Sequence, residues 1–201
     1  MNNRRLCFNG DFKVRADPTT DENAGKRYIE GYFVVYNTEV EIFPGYFEQI
    51  APGAVDDSIK SNDIRCLFNH DTGFVLGRTG NNTVTLKSDN IGLYATVEVN
   101  QNDRHAMDVY ERVKRGDIST CSFGFFEEAS EQETEECGLV LHNKITKADV
   151  FEISICPFAA YEDTEISARS SIVNKNAKKQ IEIRKAALKK RLEVLKNAKT
   201  D

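Results

Sequence analysis

At 201 residues the chain suits one domain with an appendage, and its 40% apolar content is enough for a buried core between two polar ends. No apolar run approaches the ~18 residues of a membrane-crossing helix, and the opening Met-Asn-Asn-Arg-Arg carries no secretory leader. The net charge of -5 hides an asymmetry: from Ser170 onward ten Lys or Arg face three acids, while seventeen face twenty-nine before it, so an acidic body carries a basic tail.

In chain order, residues 4–16 and 27–36 alternate apolar and polar positions, which is strand periodicity. Asp17–Lys26 is a polar link, and Phe43-Pro44-Gly45-Tyr46 reads as a turn before a short strand, Phe47–Ile50. Pro52-Gly53-Ala54 opens a short helix running to Lys60. Ile64–Asn69 is a buried strand ending at His70-Asp71. Strands at Gly73–Thr79, Thr83–Lys87 and Leu93–Val99 are split by Asn- and Gly-rich turns, because those residues tolerate positive φ. Asp103–Arg115 is an amphipathic helix with Ala106, Val109, Tyr110 and Val113 on one face, Asp103 as cap and Gly116 as stop.

A strand follows at Gly116–Phe126, in which small hydroxyl residues precede Phe123-Gly124-Phe125. Glu127–Glu136 then reads as a solvated acidic loop. Gly138–Ile145 and Ala148–Ile155 read as two paired strands, with Pro157 ending the second. Asn174–Lys199 is a basic helix with a short stripe of Ile181, Leu188, Leu192 and Leu195. The tally predicts a mainly β protein with helices, an antiparallel barrel or sandwich with helices packed outside.

Five scattered cysteines without a CxxC pair indicate neither a zinc site nor a disulfide framework, and suit a reducing cytoplasm. No metal or other cofactor is expected. What remains for chemistry is a hydroxyl, an imidazole and a carboxylate. Serine holds its proton tightly near neutral pH and attacks only when an adjacent base takes it, and that base must be held in one tautomer. Ser122 is the candidate hydroxyl. Among three histidines, His105 sits early in a charged helix and His142 sits mid-strand. His70 closes a buried strand, a position from which rigid scaffolds display functional groups. Glu152, flanked by apolar residues in Val150–Ile155, is either a solvent-facing strand residue or the acid that holds the His70 ring. Cys121 is a rival nucleophile, but neighbouring strand residues point to opposite faces.

Between Arg27 and Arg169 the sequence resembles the tailed-phage prohead serine proteases, relatives of the herpesvirus assemblins. The resemblance lies in Gly31–Asn37, Phe47–Ala54, Phe68-Asn69-His70-Asp71, Leu76-Gly77-Arg78, Ile91-Gly92-Leu93, Ser122–Phe125 and Glu152-Ile153-Ser154 with Pro157 close behind. It implies a closed antiparallel β-barrel of assemblin type wrapped by helices. It also implies Ser122 as nucleophile, His70 as general base and Glu152 as third member, with His142 as the alternative because assemblins use a second histidine. The stretch Pro157–Tyr161 is longer than the family's usual Pro-Ala.

The domain reading is a protease domain over 1–169 and a basic helical tail over 170–201, a propeptide or docking segment cut within Ser167–Lys179. The implied function is a serine endopeptidase that cleaves the scaffolding segment of the phage major capsid protein, and itself, inside the prohead in the bacterial host cytoplasm. The alternative is a silent assembly module of the same fold. The partners expected are the major capsid protein and other copies of this chain, with no membrane. Nucleic acid is not favoured, since aromatics for base stacking are absent after Tyr161.

Overall fold

A computed structural model of the protein describes residues 3–9, 12–16, 25–135 and 140–158. The predicted basic tail and its boundary near residue 170 lie outside the described residues. Eleven strands and two α-helices are found among those described, in the order β1 (Asn3–Asn9), β2 (Lys13–Ala16), β3 (Arg27–Val35), β4 (Val40–Phe43), β5 (Tyr46–Ile50), α1 (Asp56–Ser61), β6 (Arg65–Phe68), β7 (Asp71–Arg78), β8 (Val84–Ser88), β9 (Gly92–Val99), α2 (Arg104–Arg115), β10 (Thr120–Thr134) and β11 (Leu141–Cys156). The chain divides into two units, Met1–Glu133 with His142–Tyr161, and Thr134–Leu141 with Glu162–Asp201. In the described part of the second, the Glu135 amide donates to the Val140 carbonyl at 3.1 Å.

The mainly β character with a few helices is as the periodicity predicts, but among the described residues the strands form two sheets and no closed barrel. One sheet runs β1-β10-β11-β5-β4, with β6 pairing β11 and β7; the other runs β2-β3-β9-β8. The chain passes between them early. Residues 4–16, which alternate like one strand, are two: β1 pairs with β10 and β2 with β3. Elsewhere the sheets meet at corners through isolated bonds such as Asn37 N–H to Ile50 C=O (2.9 Å), which link strand ends without becoming a ladder. Closure requires continuous pairing, and single bonds do not supply it.

Apolar faces meet between the sheets. Ile29, Phe33, Val34, Leu93, Ala95 and Val97 oppose Cys121, Phe123, Phe125, Ile145, Ile153 and Ile155 in one core. Full burial of each Phe, Ile or Leu contributes about 1.5–3 kcal/mol. Phe123 and Phe125 stack at 4.7 Å, so alternate residues of β10 point inward and the residues between them point the other way. Helix α2 buries Ala106, Val109, Tyr110 and Val113, as its spacing predicts. The Asp103 side chain caps the amides of His105 and Ala106, and Gly116, at φ 86, ends the helix in the left-handed region.

Two glycines matter to the ladders and turns near the core. Strand β9 approaches β3 so closely that a Cβ on Gly92 would lie 1.9 Å from the Val34 carbonyl oxygen. We expect Gly92→Ala to cost about 3 kcal/mol, because backbone rather than a flexible side chain must give way. Urea denaturation checks this, and an unchanged midpoint would contradict the close packing. Gly53, at φ 80, turns the chain left-handed just before α1, which is why that helix starts at Asp56 rather than at Pro52.

Two readings near the C-terminal end of the described chain are corrected. Within the predicted loop Glu127–Glu136, Glu127–Thr134 is strand: β10 continues to Thr134, its outer half exposed as expected but extended, and Glu136 lies outside the described residues. Backbone pairing with β11 outweighs the low strand preference of glutamate, which reflects packing more than the backbone itself. Of the predicted strand Gly138–Ile145 the part described as strand, Leu141–Ile145, does not pair with Ala148–Ile155. Thr146 and Lys147 offer no turn chemistry, and Leu141–Cys156 runs as one sixteen-residue strand.

Candidate active site

The site is assembled by three neighbouring strands. Strand β11 lies between β10 and β6, and runs parallel to β6 with Glu152 beside Arg65 and Ile155 beside Phe68. Ser122 is on β10, Glu152 on β11, and His70 just past the end of β6. Sheet order therefore sets the strands that carry or precede residues 82 and 30 positions from Glu152 beside its own.

His70 sits in the tight connection between β6 and β7. Phe68 pairs with Asp71, leaving Asn69 and His70 as the two loop residues, at φ 51 and φ 60. Two consecutive positive φ values define the turn that matches strand twist, and glycine would usually occupy one of them. A histidine there is held against its own preference, a condition that clusters at functional sites. The holding groups come from β11: the Asn69 amide donates to the Ile155 carbonyl at 2.9 Å, and the His70 amide donates to the Ser154 hydroxyl at 3.2 Å.

The His70 ring meets the acid directly, with Nδ1 2.6 Å from Glu152 Oε1. Glu152 is only 3% exposed, so of the two readings open at the sequence level its side chain follows the buried one. A buried carboxylate must be satisfied by donors or positive charge. Glu152 has the ring at Oε1, the Ser154 hydroxyl donating to Oε2 at 2.6 Å, and the Arg5 guanidinium Nε 3.6 Å from Oε1. Gly124 makes room for it: a Cβ there would lie 2.5 Å from Glu152 Oε1.

Ser122 is fully buried on β10, and its hydroxyl donates to the Leu6 carbonyl of β1 at 2.8 Å. One hydroxyl has one proton, so in this arrangement that proton faces β1 rather than the imidazole. Cys121, the adjacent residue, points the other way: its thiol donates to the Tyr32 carbonyl at 3.2 Å, within the core. Cys66, also buried, has its thiol pKa raised, first by burial and then by the charge of Glu152, which keeps it protonated and unreactive.

His142 and His105 are elsewhere. His142 Nδ1 lies 2.8 Å from Glu39 and its ring stacks on Phe47. His105 is exposed on α2, edge-on to Phe74. Among the described residues no cluster of His, Cys, Asp and Glu has the arrangement of a metal site.

Sequence reasoning passed over the groups that fasten β1 beside the site. Arg4 pairs with Glu48 and Glu127. Glu48 is buried and also accepts from Tyr46 (2.7 Å) and Asn143 (3.2 Å). Burial, and next the charge of Glu48, push the Tyr46 phenol up to about 12, so it remains a donor at neutral pH. A short run of Arg4-Arg5 ahead of an apolar residue carries no sequence signal of such partners, since all are distant in the chain.

The family of the chain is read from its sequence. The model of the caudovirus prohead serine proteases matches residues 11–179, and the chain belongs to that family. No curated protein matches the sequence. Among solved structures, the bacteriophage T4 capsid assembly protease gp21 is similar in fold, with a TM-score of 0.53 at 10% identity over 77% of this chain and 96% of that one.

Proposed function

We propose that the protein is an active serine endopeptidase, with Ser122 as nucleophile, His70 as general base and Glu152 as the acid that holds the base. The supporting observation is the 2.6 Å contact between His70 Nδ1 and Glu152, the latter on β11, which adjoins the strand that carries Ser122. Held at Nδ1, the imidazole keeps Nε2 as the nitrogen that accepts the serine proton. Ser122 Oγ then attacks a peptide carbonyl carbon. His70 passes the proton to the departing amine, and water releases the acyl group by the same steps in reverse. For attack the Ser122 hydroxyl must release the Leu6 carbonyl and give its proton to the ring instead.

The substrates we propose are the scaffolding segment of the major capsid protein and the chain itself, inside the prohead of a phage-infected cell. Family membership supports capsid protein as the substrate class. No helix among the described residues is long and apolar enough to cross a membrane. The protease domain is proposed to span 1–169, with the basic segment 170–201 as a docking or removable tail.

A second reading, a silent assembly module, is favoured by one observation: the nucleophile is buried and its proton is given to Leu6. Fluorophosphonate labelling of purified protein separates the two, with the modified peptide identified by mass spectrometry. We expect labelling at Ser122, and its loss together with loss of self-cleavage in Ser122→Ala. Processing that continues unchanged in that variant would remove the peptidase reading.

A further inference from the structure

We propose that Ser154 is a positioning residue of this site, joining the acid and the base through one hydroxyl. The inference rests on the reading of His70 as base and Glu152 as acid. Ser154 is fully buried on β11, two residues from Glu152 and on the same side of the strand. A hydroxyl has one proton to give and lone pairs to accept with. Ser154 uses both: it donates to Glu152 Oε2 at 2.6 Å and accepts from the His70 backbone amide at 3.2 Å.

The two bonds do different things. A glutamate carboxylate turns easily about its last side-chain bond, because that torsion has broad minima. A donor fixed on Oε2 sets the plane of the group and so aims Oε1 at the His70 ring, where it lies 2.6 Å from Nδ1. The second bond holds the main chain of the base. His70 is at φ 60, a conformation a non-glycine side chain resists, and its amide is tied to Ser154 while the preceding amide is tied to Ile155. One side chain thus fixes both the carboxylate plane and the point from which the imidazole hangs. Misplacement of either by an ångström weakens proton transfer without touching substrate binding.

A merely structural serine would stabilise the fold and act independently of Glu152. A positioning serine acts through it, and a double-mutant cycle distinguishes these. We expect Ser154→Ala to lower kcat about tenfold with KM unchanged, the loss of one charge-assisted hydrogen bond. In the Glu152→Gln background the same change should cost less than twofold. Proton NMR supplies a readout without turnover. The downfield Nδ1 proton of His70 should shift upfield or vanish in Ser154→Ala, while that of His142, which bonds Glu39, stays in place.

Ser154→Cys, close in volume but a weak donor, is run alongside and should show both changes at nearly unaltered thermal stability. Equal losses with and without Glu152, or an unmoved His70 resonance in either variant, would overturn the proposal. A wild type with no turnover and no labelling would instead overturn the peptidase reading beneath it, whatever the resonance does.

Discussion

Replacing Glu152 by glutamine is expected to lower kcat/KM by about 10³–10⁴, and replacing His70 by alanine to leave almost no turnover. The first change keeps size and shape but alters what the group at Oε1 and Oε2 can do. A carboxylate accepts at both oxygens; an amide accepts at one and donates at the other. Glu152 needs acceptors on both sides, since His70 Nδ1 lies 2.6 Å from Oε1 and Ser154 donates to Oε2 at 2.6 Å. In Glu152→Gln one of these contacts sets a donor against a donor. If the amide nitrogen faces the ring, Nδ1 must accept, the tautomer inverts, and Nε2 carries a proton when it should take one. His70→Ala removes the proposed base altogether. Hydrolysis of a capsid-derived peptide by purified variants checks both. Glu152→Gln with wild-type kinetics, together with a dead His142→Ala, would transfer the third role to His142, which now pairs with Glu39.

The second large effect is expected at Gly124. An added methyl would stand 2.5 Å from Glu152 Oε1, 2.7 Å from Phe151 Cζ and 2.8 Å from Glu152 Cγ. None of these separations is tolerable between real atoms, and both neighbours are packed. The aromatic ring lies against Phe126 at 5.0 Å, and two of the three close contacts are to Glu152, so the carboxylate is displaced. Displacing it by about an ångström should cost on the order of 10²-fold in kcat, against about 1–3 kcal/mol in stability from overpacking. Kinetics measured beside urea denaturation separate the two. Full activity in Gly124→Ala would show that Glu152 does not have to stay where it is.

Much of the architecture was legible because it is written in local periodicity. The helix at Arg104–Arg115, with Asp103 as its cap and Gly116 as its stop, follows from side-chain chemistry within a dozen residues. The short strands between Asn-rich turns follow likewise. The errors fall where a distant partner decides. Glu127–Thr134 has the composition of a solvated loop, yet it extends because β11 pairs with it. Residues 4–16 look like one strand, yet they divide because two sheets claim the two halves. The break is where β-structure always resists sequence reading: which strand neighbours which is a non-local choice.

The site divides the same way. Ser122, His70 and Glu152 could be singled out as chemical types and by family likeness, since a nucleophile, a base and an acid are recognisable as residues. Sequence alone determined a mainly β chain of this family with an acidic body and a basic end. Only the tertiary structure set the imidazole against the carboxylate, brought Ser154 and Arg5 to its edge, and turned the Ser122 hydroxyl toward Leu6. The reason is physical: hydrogen bonds reach about 3 Å, and which groups come within that reach depends on sheet order and register rather than on spacing along the chain.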